Sequence, residues 1–379
     1  MEWWPAVNGS YAVLLAGAFA LSAFVTWLSI FYARRGNLID QPGRRRSHVQ
    51  PTPRGGGIGI VASALVFWCL PGFFAPAFSV LRGVTMVLPL ILVAGVGWVD
   101  DHRPLSARVR LTVHFLAALF PFVVAIGWSI GTFGSRSLGW MSFEQDVLLP
   151  CVWATLIVWS INLHNFMDGI NGLLSFQAAF VFMVLGALCW RRPDAGWPLF
   201  VLAAALLGFL PFNFPHARTF MGDVGSGAVG LLIALAVQGS IYVGADVWPM
   251  RPTALSGVIA CSAFVVDATC NLLSRMLRGK RWYSAHREHL YQWMVRSGMS
   301  HRRVVAWYMG WNLFVVVPVL YAMNAGVETA AATRPLLSAW PGVAGIYALA
   351  VALWIYGKCW CLQKVKSQRR HAAARHAAA

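Results

Sequence analysis

Charged side chains are scarce in this sequence. Only 11% of its 379 residues are Asp, Glu, Lys or Arg, whereas 58% are hydrophobic and the mean hydropathy is +0.62. Soluble globular domains carry about 25% charged residues, so the composition excludes that class. The seven cysteines lie mainly within apolar stretches, and neither their number nor their spacing predicts a disulfide framework or a zinc site. We expect them to serve in packing.

Acidic residues are scarcer than basic ones: 13 Asp and Glu stand against 30 Lys and Arg, giving a formal net charge of +17. The sequence nevertheless lacks a basic motif interleaved with aromatic residues, so it gives no sign of a nucleic-acid partner. Basic loops on the cytoplasmic side of a membrane protein explain the charge more simply, because they aid insertion and attract anionic headgroups.

The sequence is rich in apolar runs near the roughly 20 residues that cross a bilayer. They predict an all-α, polytopic integral membrane protein with about 11 transmembrane helices. The runs lie at 11–32, 58–77, 83–99, 109–130, 147–163, 172–190, 197–212, 224–243, 254–274, 304–323 and 340–357. We interpret 1–357 as a single transmembrane domain and 358–379 as a basic, disordered cytoplasmic tail.

The basic residues predict the orientation of these helices. If the N-terminus is outside, the C-terminus is cytoplasmic, and 24 of the 30 Lys and Arg residues fall inside, as the positive-inside rule favours. The cytoplasmic segments are then the tail and 33–57, 100–108, 164–171, 213–223 and 275–303, and the count includes Arg110 at the start of the helix that follows 100–108.

Three of these predicted cytoplasmic loops, 100–108, 164–171 and 213–223, contain Asp100, Asp101, Asp168 and Asp223. Because alternate loops of a membrane protein share one side, the four carboxylates can meet at one membrane surface. Adjacent residues of a helix point about 100° apart, so we expect Asp100 and Asp101 to face different partners. The structural alternative is two solvated acids neutralised by nearby arginines, Arg103, Arg108 and Arg110.

Amide side chains recur around the third of these aspartates. In NLHNFMDGINGL, residues 162–173, Asn162, Asn165, Asp168 and Asn171 recur every third residue. This spacing predicts neighbouring positions on one helical face, and polar groups at a membrane boundary are costly without partners. We therefore expect a ligand-binding face, with a capped helix junction as the alternative.

The segment NFPHARTFMGDVGSG, residues 213–227, leads into the predicted helix at 224–243. On the predicted topology that helix begins at the cytoplasmic side, where free N–H groups and the helix dipole attract anions. Gly222 and Ser226 then suit a phosphate, and Asp223 can face a cation that bridges to it. Arg218 adds positive charge nearby.

A third polar segment, RMLRGKRWYSAHREHLYQ at 275–292, contains His286, Arg287 and His289. The histidine spacing is not that of HExxH, and no thiolate lies close, so zinc binding is disfavoured. Recognition of a phosphate or a sugar fits better, and a plain basic loop is the alternative.

The loop DQPGRRRSHVQPTPRGGG, residues 40–57, is also basic. A lipid phosphate can be held by Arg44, Arg45, Arg46, His48 and Arg54. Charge that serves only membrane insertion is the alternative. Asp267 differs because it lies inside an apolar run, where an ionisable group is functional by default. For Asp267 we favour a role in helix packing.

Taken jointly, the motifs resemble the polyprenyl-phosphate N-acetylhexosamine-1-phosphate transferases, glycosyltransferase family 4. The resemblance rests on DD at 100–101, NxxNxxDGxNGL at 162–173, FMGDxGS at 220–226, HREHLYQ at 286–292 and PTPRGGG at 51–57. It implies that 1–357 is catalytic and transfers a sugar 1-phosphate from a UDP-N-acetylhexosamine to undecaprenyl phosphate, releasing UMP. The implied location is the cytoplasmic face of the bacterial inner membrane.

HREH stands where the peptidoglycan branch of that family has three successive histidines. The difference favours a free N-acetylhexosamine donor and the branch that initiates O-antigen or other surface-polysaccharide synthesis. The implied partners are therefore undecaprenyl phosphate, a UDP-N-acetylhexosamine and the lipid bilayer, together with a second copy of the chain in a homodimer.

The resemblance also implies residue roles. Asp100, Asp101 and Asp168 are expected to be catalytic, and Asp223 and Asp168 to bind Mg²⁺, with Mn²⁺ as the alternative ion. The expected substrate-binding residues are Asn162, Asn165, Asn171, His48, Arg54, Arg218, Gly222, Ser226, His286, Arg287 and His289.

The chemistry of the acceptor bears on the mechanism. A phosphate monoester is largely ionised at neutral pH, because its second pKa is about 6, so a strong general base is barely needed. Direct in-line attack is favoured, while a covalent aspartyl-phosphate path stays open. The alternative function is a transporter or flippase for a lipid-linked or anionic solute, although transporter sites usually lie at the bilayer midplane.

Overall fold

The computed structural model describes residues 9–42, 50–69, 80–133, 147–189, 193–238, 251–280, 287–324 and 340–378. These residues are mostly helical. They also form one short antiparallel pair, β1 (Ile39–Asp40) and β2 (Thr52–Pro53), in which Ile39 pairs with Pro53 and Asp40 with Thr52.

Helices occupy each of the eleven apolar runs. In chain order they are α1 (Gly9–Arg35), α2 (Ile58–Cys69), α3 (Val80–His102), α4 (Ala107–Phe133), α5 (Leu149–Met167), α6 (Leu173–Leu188), α7 (Pro193–Asn213), α8 (Asp223–Gln238), α9 (Arg251–Ala260), α10 (Ser262–Leu277), α11 (Leu290–Arg296), α12 (His301–Trp311), α13 (Val317–Asn324) and α14 (Trp340–Ala378). A π-helical turn, Asn312–Val316, joins α12 to α13.

The length and composition of these helices show a multi-pass, all-α membrane protein. Among the described residues, six helical segments are long and apolar enough to span a membrane, and α9 with α10, bent by 67°, would make a seventh. The six are Tyr11–Arg35, Thr85–His102, Ala107–Val124, Gly196–Asn213, His301–Met323 and Trp340–Ala372. The count of eleven spans and the orientation of the termini stay predictions.

Helix α8 lies at the centre of the fold. Every residue from Val224 to Ala236 is buried, as expected for a helix that is apolar all round. Small residues allow close packing: a Cβ at Gly230 would lie 2.7 Å from the Ser160 carbonyl oxygen of α5. Helices α3 and α5 pack against α8, so the polar ends of the three helices are positioned by a rigid core.

The tail does not follow the prediction of disorder, because α14 continues through it to Ala378. After Gly357 the sequence contains neither glycine nor proline and is rich in Ala, Lys, Arg and Gln, which are strong helix formers. At about 1.5 Å per residue, the 39 residues of α14 extend well beyond the roughly 30 Å hydrocarbon core of a bilayer.

Candidate functional site

Asp101 and Asp223 come together where α3 ends and α8 begins. The Asp101 carboxylate accepts hydrogen bonds from the backbone N–H groups of Asp223, at 2.9 Å, and Val224, at 3.1 Å. These two N–H groups begin α8 and have no partner within the helix, so the carboxylate caps it. We expected a bound phosphate at this helix end. The structure corrects that expectation, because the side chain of Asp101 already supplies the anion.

Arg54 joins the same two aspartates. Its Nε lies 2.7 Å from Oδ1 of Asp101, and its Nη2 lies 2.8 Å from Oδ1 of Asp223. The segment that follows β2 is fixed against the loop before α8, since the N–H of Gly56 donates to the Phe220 carbonyl at 2.9 Å and that of Gly57 to the Met221 carbonyl at 2.8 Å. Arg54 therefore lies within the aspartate cluster.

Arg110, on the first turn of α4, makes a second bridge. Its Nη1 is 3.0 Å from Oδ2 of Asp100 and 3.4 Å from Oδ2 of Asp223. Asp100 also accepts a 2.6 Å hydrogen bond from the N–H of Leu105. Asp100 and Asp101 thus face different partners, as the helical geometry predicted.

Asp168 follows the last residue of α5 and adds a fourth carboxylate. No described residue donates a hydrogen bond to its side chain. Burial, and secondly the negative charge of Asp223, raise the pKa of Asp168 well above its usual value. The four acids of this cluster exceed its two arginines, Arg54 and Arg110, by two negative charges when all are ionised, which suits a divalent cation.

Burial, together with the neighbouring carboxylates of Asp100 and Asp101, also raises the pKa of Asp223 to about 7. The positive charge of Arg54 opposes this rise. A cation bound beside Asp223 would lower this pKa again, because a nearby opposite charge favours the ionised carboxylate. Protons and a metal ion would therefore compete for the Asp223 carboxylate near neutral pH.

The donor chemistry of the cluster fits magnesium. In the described part of the chain, no three His, Cys, Asp or Glu side chains form a metal-binding group. Mg²⁺ does not require such a cage, because it is usually held by one or two carboxylates together with substrate phosphates and water. Asp168 and Asp223 supply two such carboxylates.

The amide residues do not share one helical face, contrary to the prediction. Helix α5 ends at Met167, and Gly172, with φ +80°, reverses the chain before α6. Within α5, Asn162 donates to the Val158 carbonyl at 2.8 Å. Asn171 lies beyond the turn and donates to the Pro215 carbonyl at 3.0 Å.

Asn165 and Ser226 hold the helices together beneath the cluster. The Ser226 hydroxyl lies 3.2 Å from Oδ1 of Asn165 and 3.0 Å from the Gly222 carbonyl oxygen, and is fully buried. Gly222 has φ +76°, and a Cβ there would meet Asp101 Oδ2 at 2.5 Å. These residues, expected to bind substrate, support the turn that carries Asp223.

Arg218 lies outside the aspartate cluster. Its side chain is exposed, donates to the Pro211 carbonyl at 3.1 Å and stacks over the Phe212 ring at 4.6 Å. His48 and His286, two further expected binding residues, lie outside the described residues.

His289 does not face a substrate site, because its side chain is 3% exposed and its Nδ1 lies 3.8 Å from Asp267 Oδ1. It is the N-cap residue directly before α11, and Asp267 accepts a 2.7 Å hydrogen bond from the next N–H, that of Leu290. Asp267 also accepts from Tyr308 and from Trp354, both at 2.9 Å. The packing role favoured for Asp267 is confirmed by these contacts.

Two residues in or beside the site were missed as binding residues. The sequence predicted Arg110 only as a charge that neutralises two solvated acids, although its position in the first turn of the helix after Asp100 indicates a place beside them. The Tyr291 hydroxyl donates to the Phe166 carbonyl at 2.9 Å and lies against Gly169. Tyr291 thereby connects α11 to the turn that contains Asp168. No local sequence pattern predicts this contact.

Known proteins resemble this chain over most of its length. The family model described as glycosyl transferase family 4 matches residues 84–240. The decaprenyl-phosphate N-acetylglucosaminephosphotransferase of Mycobacterium leprae (strain TN) is 30% identical over 308 residues, or 75% of this chain and 77% of the relative. That of Mycolicibacterium smegmatis (strain ATCC 700084 / mc(2)155) is 31% identical over 313 residues, or 74% and 73%.

A further relative covers more of the sequence. The undecaprenyl-phosphate alpha-N-acetylglucosaminyl 1-phosphate transferase of Escherichia coli (strain K12) is 24% identical over 351 residues, which is 88% of each chain. The segment matched by the family model includes Asp100, Asp101, Asp168 and Asp223 and ends two residues after α8.

Proposed function

The chain belongs to glycosyl transferase family 4 as a glycosyl-1-phosphate transferase, and on that premise we propose that it transfers N-acetylglucosamine 1-phosphate from UDP-N-acetylglucosamine to undecaprenyl phosphate. The names of the relatives support the sugar and the polyprenyl acceptor. The products would be UMP and a lipid-linked diphosphate sugar. The transporter alternative has no support from these relatives.

The observation that carries this proposal is the meeting of four aspartates from three distant segments around two arginines. An oxygen of the acceptor phosphate attacks the phosphorus that carries the sugar. The bond from that phosphorus to the bridging oxygen breaks, and UMP leaves with the electron pair. Negative charge grows on the leaving phosphate, so fixed positive groups stabilise the transition state.

Arg54 and Arg110 are suited to this task because the carboxylates already hold them in place. Asp101, 7% exposed and engaged with the N-terminus of α8, acts in positioning. Asp100 orients Arg110. Asp168 and Asp223 would hold magnesium, or alternatively manganese, which when bound would neutralise the donor diphosphate.

The setting of the reaction follows from the predicted topology. The positive-inside distribution supports an active site at the cytoplasmic face of a bacterial inner membrane, where the nucleotide sugar is available. The free amino-sugar donor supports a role in initiating a surface polysaccharide of the O-antigen type.

A reconstituted assay tests the proposal. The purified protein would be incubated with undecaprenyl phosphate, Mg²⁺ and either UDP-N-acetylglucosamine or UDP-N-acetylgalactosamine, and UMP and lipid product would be measured by mass spectrometry. We expect equimolar UMP and lipid-linked diphosphate sugar, faster with the N-acetylglucosamine donor, and none after chelation. Absence of product with either donor would overturn the proposal, and a faster reaction with N-acetylgalactosamine would overturn the choice of sugar.

A further inference from the structure

A second polar region lies away from the aspartate cluster. It is a cavity of about 730 Å³ between the C-terminal end of α10, the segment around α11 and the middle of α14. Its charged lining residues are Arg275, Arg278, Lys280, Arg287, Arg296, Lys358 and the single acid Glu288. None of the four clustered aspartates lines this basic cavity.

The charges of the basic cavity are not balanced by its own acid. Glu288 accepts from Arg275 and from Lys280, both at 2.9 Å, which leaves four further basic side chains on the wall. Burial, and then the positive charge of Arg296, lower the pKa of Arg287. Like charges are therefore crowded here, and an anion in the cavity would relieve their repulsion.

The lining also offers neutral groups that suit a lipid headgroup. Trp293 and Trp354 lie on the wall, and indole rings are typical of the membrane–water interface. The Trp293 Nε1 is buried with no hydrogen-bond partner in the described part of the chain. The wall therefore combines basic side chains with indole rings suited to the membrane–water interface.

The position of Lys358 places the cavity at the boundary of the hydrocarbon region. Lys358 is the first charged residue of α14 and follows Trp340 by 18 positions, or about 27 Å of helix, close to the roughly 30 Å of the hydrocarbon core. Apolar side chains beside the cavity are exposed, including Leu277 at 88% and Ile355 at 51%. Acyl chains could pack on these surfaces of α10 and α14.

We propose that the basic cavity binds the phosphate headgroup of an anionic phospholipid, with its acyl chains along α10 and α14. Basic pockets between transmembrane helices on the cytoplasmic side are known to bind anionic lipid headgroups. The cavity is separated from the aspartate cluster by α11, whose Tyr291 reaches Phe166 on the other side. A bound lipid would steady α11, and through it the turn that carries Asp168.

Native mass spectrometry of the full chain tests this binding without reference to the proposed reaction. The probes are phosphatidylglycerol and zwitterionic phosphatidylcholine. The variant Arg278→Gln/Lys358→Gln removes two cations from the cavity, and the matched control Lys366→Gln/Arg369→Gln removes two exposed cations of α14 outside it. Unchanged thermal melting would show that each variant is folded, and Arg278→Gln alone serves if the double variant is not.

We expect the wild type and the control to retain phosphatidylglycerol in preference to phosphatidylcholine. The cavity variant should lose roughly fivefold in retention for each cation removed. Equal retention by the control and cavity variants, or no preference between the two lipids, would overturn the proposal. So would displacement of phosphatidylglycerol by UDP-N-acetylglucosamine, because the cavity would then serve a nucleotide phosphate.

Discussion

The backbone N–H of Asp223 donates a 2.9 Å hydrogen bond to the carboxylate of Asp101, 122 residues earlier in the chain. One acid thus caps the helix that begins with the other. The contact fixes the end of α3 against the start of α8, and Arg54 then bridges both side chains. The geometry of the cluster therefore depends on the hydrogen bond from the Asp223 backbone to Asp101 as well as on the ion pairs with Arg54.

Removal of this cap should lower stability as well as activity. We expect Asp101→Ala to reduce the free energy of unfolding by about 1–2 kcal/mol, the usual effect of losing an N-cap. Asp101→Asn retains an acceptor and should recover part of the stability but little activity. Thermal denaturation in detergent, alongside product formation, checks both. A wild-type melting temperature in Asp101→Ala would contradict the capping role.

The bridge made by Arg54 should not be replaceable by lysine. Arg54 contacts two carboxylates through two different nitrogens, whereas a lysine ammonium is a single point charge without this planar fork. We expect Arg54→Lys to reduce the rate of product formation by roughly a hundredfold. Arg103→Lys, at an exposed position of the next loop, should retain the wild-type rate. Similar rates in the two variants would exclude the bridge as a requirement.

Two glycines of α3 test whether α3 must pack closely against α8 for activity. A Cβ at Gly97 would collide with the backbone of Asp223 and Val224, whereas a Cβ at Gly95 would meet nothing within 4 Å. We expect Gly97→Ala to separate α3 from α8 and abolish most activity. Gly95→Ala should be neutral or more stable by up to about 1 kcal/mol. The comparison uses melting temperature and turnover, and equal behaviour of the two variants would show that close approach is unnecessary.

Protons and magnesium should compete at the cluster. Since burial and the nearby carboxylates raise the pKa of Asp223 to about 7, lowering the pH from 8 to 6 protonates it in the metal-free protein. The Mg²⁺ concentration that gives half-maximal product formation should therefore rise as the pH falls. Titrations of Mg²⁺ at pH 6, 7 and 8 measure this. A half-maximal concentration that does not change with pH would contradict the role of Asp223 as a metal ligand.

The sequence predicted the broad arrangement because it depends on periodicity and topology. Apolar runs located the helices, and alternate loops indicated that Asp100, Asp101 and Asp223 could meet. Their adjacency in the structure confirms that placement. The i, i+3 spacing of the asparagines was misleading, because α5 ends at Met167 and Gly172 reverses the chain, so the four positions do not lie along one helix.

Other features depend on contacts between distant segments and could not be predicted locally. The capping of α8 by Asp101 requires the C-terminal end of α3 to pack beside the N-terminal end of α8. The burial of His289 follows from its contact with Asp267, 22 positions earlier. The helical tail could have been predicted from the sequence, because its composition favours a helix. Its many charges instead led to the prediction of disorder.

The most direct test of the account compares the wild type with Asp223→Asn in vesicles that contain undecaprenyl phosphate, UDP-N-acetylglucosamine and Mg²⁺. The measurement is the rate at which the lipid-linked diphosphate sugar forms, with equal amounts of folded, membrane-inserted protein. We predict product from the wild type and a rate lower by about a hundredfold or more in the variant. A variant that forms product at nearly the wild-type rate would contradict the placement of the reaction at this aspartate cluster.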